Sequence, residues 1–318
     1  MKSLFRMCQC VALVALVAGC QVEEAEQGVS NVDSSIKRIA IDGSSTVEPI
    51  TARVAEKFGE QFSDVQVGLK VTGTGTGFKE MIAGRIDIAN ASRPIKDSEK
   101  ADCEANGIEV VELKIAIDGL TVVVHPENDW VSAITVADLK KIWEPESKVV
   151  NWKDINPEWP DHKISLFGAG EESGTFDYFT EAINGKEDAI TDNYSPSADD
   201  NVIASGVAGD KYAMGFFGYA YYEKNKDKLK ALAISTGETT EGAVGPTPET
   251  IEAGDYKPLS RPLFIYAKKE ALGRAEVEDF VRYYLNEGQA MVADAGYVSL
   301  SEAELATTKA RFEEAIAK

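Results

Sequence analysis

From Ile36 onward the apolar positions switch between a two-residue period and one near 3.6, the mark of strands followed by helices. "IKRIAIDG" puts Ile39 and Ile41 on one face of a short strand, and "TVEPITARVAEKFGEQF" places Val47, Ile50, Val54 and Phe58 on one face of a helix. "VQVGLKVTG" alternates strictly through Val65, Val67, Leu69 and Val71; "GFKEMIAGR" then predicts a helix and "IDIANAS" another strand. The apolar run "EVVELKIAIDGLTVVVHP" is a candidate crossover from one domain to another. Beyond it, Thr135 is the expected N-cap of "ITVADLKKIW", "KISLFGAG" a buried strand, "YAMGFFGYAYYEKN" a segment rich in glycine and aromatics, and "PLSRPLFIYAKKE" a return strand. Helices follow in "AEVEDFVRYYLNEGQAMVADAG" and "SEAELATTKARFEEAIAK". Strands alternating with helices over short connections predict an α/β fold with a mostly parallel sheet, and the length predicts two domains.

Ahead of this pattern the chain reads differently. Lys2 and Arg6 form a positive region ahead of a short apolar stretch that ends Val17-Ala18-Gly19 before Cys20, the layout of a secretory signal and too short for a span of roughly 20 residues. Residues 1–19 are therefore expected to be a lipoprotein leader cleaved before a lipidated Cys20. "QVEEAEQGVSNVDSS" (21–35) is polar and aperiodic, so 20–35 is expected to be a flexible acidic tether. The formal charge of −20 becomes two units more negative without Lys2 and Arg6. Such a chain repels nucleic acid and anionic lipid surfaces. With Cys8 and Cys10 in the leader and Cys20 carrying lipid, Cys103 stands alone and no intrachain disulfide is expected.

Three segments share one design, an apolar strand, a Gly/Ser/Thr turn and an amphipathic helix: "IAIDGSSTVEPI", "LKVTGTGTGFKEMI" and "ISLFGAGEESGTFDYF". Helix starts carry unpaired N–H groups and a partial positive charge, so three converging on one sheet edge would hold an oxyanion. The hydroxyls of Ser45, Thr46, Thr74, Thr76, Ser173 and Thr175 would add donors. The ordinary alternative is that each Ser or Thr merely caps its helix. Enzyme and metal motifs fit poorly. "GTGTGFK" lacks P-loop spacing, "GEESG" is not a nucleophile elbow, and "SADDN" lacks calcium-loop spacing. His125 and His162 lie outside all three segments. No catalytic residue, metal or cofactor is expected.

Taken together, "GSSTVEPI", "TGTGTGFKEMIAGRIDIANASRPI", "GAGEESGTFDYFTEAI" and "GVAGDKYAMGFFGYAYY" resemble, in order, the phosphate-binding lipoproteins of bacterial ABC importers, in their cyanobacterial-type branch. The resemblance covers nearly everything from Ile36 onward. It implies a two-domain periplasmic-binding-protein (Venus-flytrap) fold of type II, two mixed sheets flanked by helices with a two-strand hinge. Domain I would be 36–120 with 262–318, and domain II 121–261. It further implies a monomeric, non-catalytic receptor outside the cytoplasm that binds inorganic phosphate with high affinity and delivers it to transmembrane permease subunits. Ser45, Thr46 and Val47, then Thr74, Gly75, Thr76 and Gly77, then Ser173, Gly174 and Thr175 match the family's three phosphate loops.

Two positions depart from the family pattern. Arg93 stands where many members carry an aspartate that accepts the proton of hydrogen phosphate, and Ala169 where many carry an arginine. Arg93 is therefore the expected principal cation, its fork suited to a tetrahedral oxyanion. Glu171 or Glu172 would take over as proton acceptor, with Asp200 a weaker candidate; both glutamates could equally favour the helix start or pair with Arg93. The alternatives that stay open are a receptor or sensor for sulfate or another oxyanion and, remotely, a phosphatase or esterase using Ser173.

Overall fold

The computed structural model describes residues 36–171 and 173–317. The expected leader and tether, Cys20 and Glu172 lie outside the described residues. Among the described residues there are eleven strands: β1 Lys37–Gly43, β2 Val65–Leu69, β3 Ile88–Ala91, β4 Val110–Val124, β5 Ala133–Thr135, β6 Ser165–Ala169, β7 Ser195–Ser197, β8 Ala213–Gly218, β9 Lys230–Ala231, β10 Ala233–Ser235 and β11 Ser260–Lys268. Nine join in the order β2-β1-β3-β11-β4-β8-β6-β7, with β9 added on β4; β5 and β10 pair separately.

The sheet is mixed rather than mostly parallel. β1 runs parallel to β2 and β3, and β6 parallel to β7 and β8, but β11 is antiparallel to β3 and β4, and β4 antiparallel to β8. The long apolar run explains this. β4 is paired with β11 through Gly119 and with β8 from Leu120 onward, so one strand serves two neighbourhoods and links the sheet into one path.

Two large apolar cores meet within β4. One gathers Ile39, Ile41, Val54, Phe58, Leu113, Ile115, Ile265, Phe280 and Tyr284. The other gathers Leu120, Val122, Trp143, Trp152, Phe179, Phe216, Tyr256 and Leu259. Burial of each large side chain contributes about 1.5–3 kcal/mol. Helix Glu48–Gln61 begins with Pro49 in its first turn and buries Ile50, Val54 and Phe58 against the first core, as the spacing predicts. Thr135 caps helix Val136–Trp143, its Oγ1 accepting from the Asp138 N–H at 3.0 Å. Cys103 is buried and free.

The helix expected at "GFKEMIAGR" starts earlier, spanning Thr74–Ile82. Gly73, at φ +88°, sets the turn before it, so the Thr-Gly-Thr-Gly run is the first helical turn rather than a loop. Glycine is required at Gly77, because a Cβ there would lie 2.8 Å from the Gly43 Cα. The two turns are thereby held in backbone contact.

Candidate functional site

A cleft of about 540 Å³ opens between the first two Gly/Ser/Thr turns and the helix of the third segment. Ser45 and Thr46 line it from the first turn, Thr74, Gly75 and Thr76 from the second, Asp177 and Tyr178 from the third segment's helix, and Glu181 from the π-helical stretch Thr180–Asn184 that continues it. The three segments do not share one sheet edge. Following the pairings from β1 through β3, β11, β4 and β8 leaves β6 antiparallel to β1, so the third segment comes from the second core and faces the first. It reaches the first turn directly, because a Cβ on Gly174 would lie 2.9 Å from Thr46 Oγ1 and 3.1 Å from Thr46 Cα.

Whether the hydroxyls are ordinary caps is decided residue by residue. The first helix has Val47 as its N-cap and the second Gly73, neither with a side-chain cap bond. Only Ser173 caps its own helix, accepting from the Thr175 N–H at 3.2 Å. Ser45 Oγ instead donates to Asp177 Oδ2 at 3.5 Å, Thr46 Oγ1 accepts from Arg261 Nη2 at 3.1 Å, and Thr74 Oγ1 accepts from the Ser92 N–H at 3.2 Å. Ser173, Gly174 and Thr175 line a second cavity of about 750 Å³, which shares Ser45 with the first. Val47 is packed in the core and Gly77 is buried against Gly43; neither lines either of these two cavities.

Four cations and three carboxylates line the cleft: Lys79, Arg93, Lys96 and Arg261 against Asp177, Glu181 and Glu187. Arg93 is gripped by both oxygens of Glu99, each at 2.8 Å, so much of its charge is compensated. Glu99, although burial alone would push its carboxyl up, is held below the ordinary carboxylate range by that grip together with the Lys96 backbone. Arg261 was not singled out from sequence. Its Nε donates to Asp118 Oδ2 at 3.3 Å, its Nη1 lies 3.8 Å from Glu181, and its guanidinium lies 3.7 Å from the centre of the Tyr178 ring. Asp118 is almost fully buried. Burial raises its pKa while Arg261 opposes the rise.

Glu171 sits in an exposed turn and lines neither cavity; Glu172 is outside the described residues. Of the three carboxylates that line the cleft, Asp177 is half-buried on the first turn of its helix, while Glu181 and Glu187 are exposed. The pKa of Asp177 is raised, first by burial and then by the negative charge of Asp188. His125 accepts a backbone N–H from Glu127, and His162 stacks on Tyr212; neither lines the cleft.

Asp200 lines the second cavity and is pushed up to about 6, by burial and then by Asp199. A carboxyl raised in the folded chain favours the protonated folded state. Its cost is absent below about pH 4, grows as pH rises towards 6, and persists at neutral pH. Asp200→Asn is expected to raise stability by about 1–3 kcal/mol at pH 7 and to change little at pH 4. Denaturant melts at the two pH values check this.

Among the described residues no helix is long and apolar enough to cross a membrane. A family model described as a PBP superfamily domain matches residues 25–287. Protein SphX from Synechocystis sp. is 45% identical over 267 residues, covering 83% of this chain and 79% of SphX. The phosphate-binding protein PstS of Staphylococcus saprophyticus is 40% identical over 280 residues, covering 87% and 85% respectively. A crystal structure of a possible phosphate-binding protein from Planctomyces limnophilus superposes with a TM-score of 0.85 at 48% identity, covering 89% of this chain and all of that one. The mixed sheet, the paired cores and these relatives agree: the chain belongs to the PBP superfamily, in the group that contains the SphX and PstS proteins.

Proposed function

We propose that the chain is a non-catalytic receptor that captures inorganic phosphate and passes it to the permease of an ABC importer. The observation that carries this reading is a cleft whose Ser and Thr hydroxyls are not used as helix caps and which also presents two guanidinium groups and a half-buried carboxylate. Hydroxyls and guanidiniums donate to a tetrahedral oxyanion, and charge-assisted bonds of roughly 1.5–3 kcal/mol each supply micromolar affinity or better, about −8 kcal/mol. Ser45, Thr46, Thr74, Gly75 and Thr76 act from one side and Ser173, Gly174 and Thr175 from the other. Arg93 and Arg261 supply positive charge. Domain I, residues 36–120 and 262–318, and domain II, 121–261, close on the ion about β4 and β11. The relatives named phosphate-binding proteins support the same ligand.

The anchor belongs to the same reading. Cys20 carries lipid after cleavage, and the acidic segment 20–35 lets the receptor move above a membrane while remaining near its permease. The test is a titration of phosphate-stripped protein by calorimetry and tryptophan fluorescence. Trp143 and Trp152 are buried in the second core, with Trp130 and Trp159 packed against it, so their emission can report a change between the halves. Micromolar or tighter phosphate binding without hydrolysis of a chromogenic phosphate ester is expected. Sulfate binding equal to phosphate binding would replace this reading with a general oxyanion receptor.

A further inference from the structure

Arg261 lies on β11 directly opposite Asp118 on β4, in the two strands that run from one apolar core into the other. From that place it touches both sides of the cleft. Its Nη2 donates to Thr46 Oγ1 at 3.1 Å, on the first turn, and its guanidinium stacks on Tyr178, in the third segment's helix. The Tyr178 hydroxyl in turn donates to the Pro258 carbonyl at 2.7 Å, just before β11 begins.

We infer that Arg261 is the positioning residue of the anion site, aiming the Thr46 hydroxyl and linking it to the third segment's helix. This deepens the phosphate reading and rests on it. A hydroxyl has one proton and two lone pairs. With a lone pair of Thr46 Oγ1 accepting from a guanidinium, the hydroxyl proton is left to point into the cleft, and the charge on the donor makes it a stronger donor. Because the same guanidinium rests on Tyr178, the Thr46 donor is set only while the third segment's helix is docked against the first turn. Affinity and closure thus share one side chain. Thr46 is buried, which removes water as a competing partner for its hydroxyl.

The test is a double-mutant cycle on phosphate affinity. Wild-type protein is titrated first. If it binds no phosphate, the phosphate reading fails and this inference falls with it. Arg261→Met leaves Asp118 buried without its partner, so the cycle is built on Asp118→Asn, adding Arg261→Met, Thr46→Val and both. Arg261→Met and Thr46→Val are each expected to weaken phosphate binding about tenfold or more, and the pair to be no more than about threefold worse than the weaker single change. Arg261→Lys in the wild type, which keeps the charge but not the planar fork, is expected to remain weakened. Multiplying effects of Arg261→Met and Thr46→Val overturn the inference while leaving the phosphate reading intact, as does an Arg261→Met affinity within threefold of its reference. A purely structural Arg261 would lower the melting temperature and the binding-competent fraction without coupling to Thr46, so both are recorded.

Discussion

Gly174→Val is expected to weaken phosphate binding about a hundredfold or more, about 2.7 kcal/mol, in protein that still folds. A Cβ at this position falls 2.9 Å from Thr46 Oγ1 and 3.1 Å from Thr46 Cα. The hydroxyl can rotate away, but the Cα cannot move without the whole first turn, which is tied by the Ser44 N–H to the Asn90 carbonyl at 3.0 Å. Even alanine must therefore hold the third segment off the first turn by a few tenths of an ångström, and the branched valine by more. Folding is protected because the misfit lies between elements that belong to separate cores, so the mismatch is relieved by separation rather than by unfolding. Valine carries no greater intrinsic helix cost than the glycine it replaces. Calorimetric titration beside a thermal melt separates the two effects. An unchanged affinity would show that the third segment does not have to meet Thr46 for the ion to bind.

The same contact shows which parts of the site could be read in advance. The three strand–turn–helix segments were legible because each changes period across a cluster of Gly, Ser and Thr, a local signal requiring no partner. Their meeting was only partly legible: the direction of β6 relative to β1 depends on three antiparallel steps through β11, β4 and β8, which no local pattern encodes. Arg93 was legible as a cation beside a strand end, but its bidentate partner Glu99 sits six residues on, beyond β3 and inside the capping box of helix Asp97–Ala105. Arg261 meets Thr46 across 215 positions of sequence, so nothing local joins them. One trace was nevertheless present. Asp118 in "IAIDGLTVVV" and Arg261 in "LSRPLFIYA" are the one charged residue in each of these stretches of the crossover strands. A buried charge demands a partner, and two such strands that must pair offer each other one. Glu171 illustrates a simpler limit: proximity in sequence to Ser173 does not bring its turn into the cleft lining, whereas Asp177, one helical turn beyond Ser173, lines it.

Asp177→Asn is expected to remove most of the discrimination between phosphate and sulfate. Wild type should favour phosphate by about a thousandfold or more, and the variant by about tenfold or less, since a site built to pair one proton rejects the analogue lacking it by a margin that neutralisation cancels. The cleft cannot select by charge alone. Its four cations face three carboxylates, and behind them Glu99 and Asp118 hold Arg93 and Arg261. Hydrogen phosphate brings a proton that Asp177 can accept; sulfate brings none and would set two anions in contact. The pH dependence gives an independent sign. Burial and Asp188 raise the pKa of Asp177, so it takes up a proton at milder acidity than an ordinary carboxylate and then donates to sulfate instead of repelling it. Wild-type sulfate affinity should therefore rise as pH falls through the Asp177 titration, and Asp177→Asn should flatten that rise. Titrations with both ions from acidic to neutral pH measure it. Undiminished selectivity in Asp177→Asn would move the proton acceptor to another carboxylate of the cleft, with Glu181 next in line because it lies 3.8 Å from Arg261.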